Sequence, residues 1–377
     1  MAEKVFKDRK MLGIVAAVII LIGILAFILT GSSQSQEPAI TENVLLVGSG
    51  ATFPQPQINA WIQAFTKKYP NVKIEYGGGG SGKGQTDLLQ GVVDFAGSDV
   101  PMKTENWEQA KAKYGKVYQI PWISGGVAFV YNIPEVGSKR LKLSREALVG
   151  ILLGKIEYWD DPVIKKDNPD LNLPHQKIIF VHRSEASGTT NIVTAYLSLI
   201  SPEWKEKVGS GLTVKWPLDA VGRGVGAQGN PGVAQNVKAT PYSLGYVEQA
   251  YTKGLQVALI ENGVGEYVDL TPESVSKALS GLTIQFDPAE DISKIDLLSK
   301  TLNVKASGAY PIVSMSYVIV KDPAQYPTAK ARALGAFLKY VFTEGQQTSS
   351  IIEGYAPVGG SFVKAGLKVA EELLARK

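Results

Sequence analysis

The feature that most limits this chain is an alternation of two hydrophobic periods. Residues 43–47 form an apolar, strand-like run, and after a Gly/Thr/Pro turn Ile58, Trp61, Ile62, Phe65 and Tyr69 recur at helical spacing over 56–69. A strand over 72–76, a glycine loop, a short helix around 86–90 and a strand over 92–96 follow. This βαβα order predicts an α/β fold, an open sheet with helices on its faces. In such sheets ligands sit beyond the carboxyl ends of strands, where loops lead into helix N-termini. The later chain repeats the pattern with strands over 127–131, 177–181 and 312–320. Helices are expected over 144–153, 189–200 and 329–342, with a terminal helix ending near Lys377. At 377 residues the chain exceeds what one hydrophobic core usually serves, so two lobes are expected. Hinge positions are expected where the chain passes Pro121 and again before Tyr310-Pro311, since the last segment reads as helices returning to cover the first lobe. That division gives lobe I as 44–121 plus 308–377 and lobe II as 122–307.

Residues 1–10 carry four basic and two acidic side chains, and residues 11–29 are uncharged and apolar. Nineteen residues at about 1.5 Å each reach roughly 28 Å, close to the hydrocarbon thickness, whereas secretory apolar regions usually run about 7–15 residues. A retained single-pass anchor is therefore favoured over a cleaved signal. By the positive-inside rule Lys4, Lys7, Arg9 and Lys10 stay in the cytoplasm and the rest lies on the extracellular face. Residues 30–43, rich in Ser and Gln, read as a flexible linker. With no cysteine at all, disulfides, thiolate metal sites, thiol nucleophiles and a cysteine-borne lipid anchor are excluded. Half of the formal charge of +4 belongs to the first ten residues, so the exported part is nearly neutral and lacks the basic stripe of a nucleic-acid binder.

Four polar loops at strand-to-helix junctions carry the candidate chemistry. In Gly48-Ser-Gly-Ala-Thr-Phe-Pro54 the amides of Thr52 and Phe53 would point out of a helix N-terminus and attract an anion; an ordinary Ser/Thr cap is the alternative. Gly77-Gly-Gly-Gly-Ser-Gly-Lys-Gly84 resembles a nucleotide phosphate loop but has Gly84 where that motif needs Ser or Thr for Mg²⁺. Ser81 remains an anion cradle or a flexible turn. Asp94-Phe-Ala-Gly-Ser-Asp99 ends in a carboxylate, either a helix cap or, since an ionised Asp only accepts hydrogen bonds, a demand that the ligand carry a proton. Val181-His-Arg-Ser-Glu-Ala-Ser-Gly-Thr-Thr190 is densest in donors: Arg183 offers a planar fork, Ser187, Gly188 and Thr189 open a helix, and Glu185 is placed to orient Arg183. Gly224-Val-Gly-Ala-Gln-Gly229 fits the dinucleotide pattern literally but is followed by Asn230-Pro231 and reads as a loop. A hydrolase using Ser81 or Ser187 would need a base, and only His175 and His182 exist. A sensory or adhesive surface protein is the third reading.

Together with Gly245-Tyr-Val-Glu248, these motifs resemble the phosphate-binding proteins of bacterial and archaeal phosphate ABC importers over nearly all of residues 44–377. The resemblance implies a two-lobed, periplasmic-binding-protein-like (type II) fold with a hinge. It implies phosphate held by Ala51, Thr52, Phe53, Ser81, Asp99, Arg183, Ser187, Gly188 and Thr189. It also implies a monomer without enzyme activity, cofactor or metal, whose partners are a membrane permease and its ATPase subunits. Two departures stand out. Glu185 replaces a more usual Asp beside the arginine, and the N-terminal tether replaces secretion or a lipid anchor.

Overall fold

The structure, a computed structural model, describes residues 40–282, 284–285 and 287–377. The expected cytoplasmic segment 1–10, the span 11–29 and most of the linker lie outside the described residues. Among the described residues no helix is long and apolar enough to cross a membrane.

The strands are β1 (Val44–Gly50), β2 (Val72–Gly77), β3 (Phe95–Ser98), β4 (Val117–Asn132), β5 (Lys142–Leu143), β6 (Ile179–Arg183) and β7 (Gly224–Ala227), then β8 (Ser243–Glu248), β9 (Gln256–Val257), β10 (Leu259–Glu261), β11 (Tyr267–Val268), β12 (Val313–Lys321) and β13 (Tyr355–Ala356). A 10-stranded sheet runs in the order β2-β1-β3-β12-β4-β8-β6-β7, with β9 and β13 also on β4, and β11-β10-β5 form a small second sheet. β1 is parallel to β2 and β3, and β6 is parallel to β7 and β8. The fold is α/β and two-lobed, and β4 serves both lobes. It is antiparallel to β12 from Val117 to Gly126 and takes β8 as its antiparallel partner from Val127 onward.

Pro121, where a hinge is expected, lies within this 16-residue strand. A proline cannot donate to the ladder, and the register between β4 and β12 shifts at Ser316/Tyr317, opposite Pro121 and Ile123. That irregularity is where a sheet can accommodate proline. Two expectations differ from what the structure shows. The helix expected around 86–90 begins at Ser81 and runs to Gln90, because glycines that are poor mid-helix are tolerable in a first turn. The segment Gly224–Gly229, read as a loop, is strand β7 followed directly by the helix Gly229–Ala239. Pro231 falls in that helix's first turn, where its missing N–H would have had no intrahelical partner.

Each lobe has an aromatic core. In the first, Trp61 packs on Trp122 at 5.6 Å between ring centroids, and Phe337 meets Phe65 at 5.3 Å and Phe95 at 6.0 Å. Phe337 belongs to the late helix Thr328–Phe342, which therefore closes the core of the first lobe. In the second, Trp216 lies 4.9 Å from Phe180 and 5.9 Å from Tyr246.

Candidate anion-binding site

Two sets of parallel strands, β1–β3 in one lobe and β6–β7 running the opposite way in the other, end on one cleft. The chain after β1 supplies Ala51, Thr52 and Phe53; after β2, Ser81; after β3, Asp99; β6 ends in Arg183 and leads to Glu185, Ser187, Gly188 and Thr189; and after β7 comes Asn230. The two lobes touch here. A Cβ added to Gly188 would press into Ser81 Oγ and stand 2.6 Å from Asp99 Oδ2, so only glycine allows this approach. The amide of Gly82 donates across to Ala186 O at 3.0 Å, and at Gly80 (φ 89°) a Cβ would meet that same carbonyl at 2.6 Å.

The first loop is held by its carbonyls. Tyr76 Oη donates to Ala51 O (2.9 Å), Tyr251 Oη to Thr52 O (2.7 Å) and Tyr355 Oη to Phe53 O (2.6 Å). In a trans peptide the N–H points opposite to the C=O, so the first two anchors turn the amides of Thr52 and Phe53 to the other side. Ala51 itself donates its amide to Gly97 O at 2.9 Å, which leaves it packing rather than a free donor.

Arg183 is buried with one partner carboxylate. Its Nε donates to Glu185 Oε1 at 2.8 Å, Nη2 donates to the same oxygen, and Nη1 donates to Thr189 Oγ1 at 3.2 Å. A guanidinium has five N–H bonds, so two remain for a ligand, one on each terminal nitrogen. Glu185 thus orients the arginine despite its extra methylene, and it also accepts from the Gly229 amide at 3.1 Å. Ser187 caps the helix Gly188–Ile200 by accepting from Thr190 N (3.2 Å), which frees its own proton to donate elsewhere. The amides of Gly188 and Thr189 open that helix, whose dipole favours an anion.

Asp99 faces this donor set from the first lobe. Ser316 Oγ donates to Oδ1 at 2.8 Å, Ser81 Oγ to Oδ2 at 3.3 Å, and the Asp99 amide donates to Ser81 Oγ at 3.0 Å. Burial raises its pKa to about 7, a shift opposed by Ser316, Arg183 and Ser81. Burial also holds Glu248 well above the usual carboxylate range; its Oε2 accepts from Ala250 N and lies 2.8 Å from Tyr355 Oη. The unfolded chain releases the Asp99 proton near 3.8 and the folded chain near 7, so the folded state holds the extra proton in between. The stability contributed by this group is full below about pH 4 and lost as pH rises through about 7. At about 1.4 kcal/mol per pH unit over that window, Asp99→Asn is expected to stabilise the ligand-free protein by up to roughly 4 kcal/mol at pH 8 and by little at pH 4. Thermal unfolding at the two pH values checks this; equal shifts at both would show that Asp99 stays ionised.

The structure brings Thr52, Phe53, Ser81, Asp99, Arg183, Ser187, Gly188 and Thr189 to this cleft. Sequence reasoning missed Ser316, which comes from β12, and Asn230, whose signal was Gly-Asn-Pro opening a helix straight after a strand. Neither histidine is placed to serve Ser81 or Ser187 as a base. His182 binds Arg183 O (2.9 Å) and Asp219 Oδ1 (2.8 Å), and His175 binds Asp160 Oδ1 (2.9 Å). Among the described residues no group of His, Asp and Glu could hold a metal ion.

The description "PBP superfamily domain" belongs to the family model that matches residues 32–344. The phosphate-binding protein PstS of Methanocaldococcus jannaschii is 45% identical over 344 residues, covering 89% of this chain and 88% of its own. PstS of Pasteurella multocida is 38% identical, covering 84% and 87%. Among solved structures, a human phosphate binding apolipoprotein superposes with a TM-score of 0.68 at 20% identity, covering 85% of this chain and 93% of its own. With that superfamily match over most of its length and this degree of identity to its relatives, the chain belongs to the PstS family of phosphate-binding proteins.

Proposed function

We propose that this chain is the extracytoplasmic solute-binding subunit of a phosphate importer: it captures inorganic phosphate between its lobes and delivers it to an ABC permease driven by ATPase subunits. It is a binding protein, not an enzyme. The observation that carries the reading is one buried arginine with two uncommitted N–H bonds, facing a buried carboxylate across a cleft lined by hydroxyls and helix-opening amides. Dehydrating a divalent anion is costly, and one cation does not offset it alone; the convergent dipoles supply the rest. Thr52, Phe53, Ser81, Arg183, Ser187, Gly188 and Thr189 act as the donors, Asp99 accepts the ligand's proton, and Ala51 shapes the loop. The lobes hinge about β4 near Gly126, where the strand changes partner, with residues 44–126 and 308–377 moving as one body against 127–307. The apolar run 11–29 tethers the domain to the outer face of the cell membrane, and the protein acts as a monomer.

The test is equilibrium dialysis of labelled phosphate against the full chain extracted in mild detergent from alkali-washed membranes. Stoichiometric binding that excess sulfate leaves in place is expected. Absence of saturable binding would overturn the phosphate reading, and recovery of the chain only in the soluble fraction would overturn the tether.

A further inference from the structure

Asn230 lies on the helix Gly229–Ala239 of the second lobe and is fully buried. Its side-chain orientation is set by chemistry. Oδ1 lies 3.0 Å from the amide of Glu248, which can only donate, so Nδ2 must face the other way. There Nδ2 donates to Thr52 Oγ1 at 3.1 Å and to Thr189 Oγ1 at 3.4 Å, and the Asn230 backbone amide donates to Thr52 Oγ1 at 3.1 Å. A hydroxyl has two lone pairs and one proton. Both lone pairs of Thr52 Oγ1 are taken by Asn230. Those of Thr189 Oγ1 are taken by Asn230 and by Arg183 Nη1. Each threonine proton is therefore forced outward as a donor.

We infer that Asn230 is the positioning residue of this site: it joins the two lobes through Thr52 and polarises the Thr52 and Thr189 hydroxyls so that both donate to the bound anion. The inference rests on the phosphate reading. It explains how two hydroxyls that are free to donate or accept become part of a donor-only lining, which admits an oxyanion and penalises a ligand that presents N–H or O–H groups at those points. Asn230 need not touch the ligand, and its effect passes through the two threonines.

That dependence supplies the test. Phosphate affinity of the full chain is measured for Asn230→Ala and for Asn230→Asp, which keeps the shape but presents an acceptor to both hydroxyls. The same Asn230→Ala change is then made in a Thr52→Val, Thr189→Val background. A neutral hydrogen bond contributes roughly 1 kcal/mol, so two misdirected hydroxyls predict a loss of about 30-fold in Asn230→Ala, with a larger loss in Asn230→Asp. In the valine background the Asn230→Ala change is expected to cost less than about twofold, the non-additivity of groups that act through one another. Equal losses in both backgrounds would mean that Asn230 merely supports the fold and would overturn the inference. An unmutated chain that does not bind phosphate would instead overturn the reading beneath it.

Discussion

Arg183→Ala is expected to weaken phosphate binding by about 10³-fold, toward the upper end of the roughly 2–5 kcal/mol that truncating one member of a buried, hydrogen-bonded charge pair costs, each 1.4 kcal/mol being tenfold. The reason lies in the charges that remain. Arg183 is 4% exposed, and its side chain pairs with Glu185, itself largely buried. Without the guanidinium, the Glu185 carboxylate and the ionised fraction of Asp99 both face the incoming anion, so an attractive cleft becomes a repulsive one. Two N–H donors vanish with the charge, and Thr189 Oγ1 loses one of the bonds that direct its proton. Arg183→Lys separates these contributions. It restores the charge but not the fork, and one ammonium does not reach Glu185, Thr189 and ligand together, so an intermediate loss of about 10²-fold is expected. Isothermal titration of both variants, with thermal unfolding as the control for folding, decides the matter. Binding by Arg183→Ala within tenfold of the unmutated chain would remove Arg183 from the site.

The parts of this fold that were legible in the sequence are those where one local rule acts alone. The helix Gln55–Lys68 shows in the spacing of Ile58, Trp61 and Phe65, all of which are buried. The donor-rich stretch after β6 shows because Ser187 caps a helix in the usual way. What was hidden depends on partners far away in the chain. Pro121 sits inside β4 only because β12, nearly two hundred positions later, supplies the irregularity that accommodates it. The strand Gly224–Ala227 reads Gly-Val-Gly-Ala, with Val225 its lone β-branched residue, so nothing local marks it as a strand; its place is set by pairing with β6. Asn230 and Ser316 were missed for the same reason. Neither sits in a motif with chemistry of its own, and each matters through what it touches: Asn230 through Thr52 and Thr189, Ser316 through Asp99.

Asp99→Asn is expected to admit sulfate. An ionised Asp99 is an acceptor only, and a ligand oxygen that approaches it must bring a proton. Phosphate carries one near neutral pH and sulfate does not, so sulfate in the unmutated cleft leaves two acceptors opposed; sites that strand a buried polar group in this way discriminate by about 10⁴-fold or more. The asparagine amide offers a donor in place of the acceptor and removes that opposition. The raised pKa of Asp99, about 7, adds a pH signature. Below that value the protonated carboxyl is itself a donor, so sulfate should compete with phosphate better at pH 5.5 than at pH 8.5 in the unmutated chain. In Asp99→Asn that trend should disappear, because no titrating group remains at the position. Competition dialysis across that range reads both effects at once. If the variant still excludes sulfate, selectivity resides in the shape of the donor lining; if both proteins show the same pH trend, the titrating group belongs to the ligand and not to Asp99.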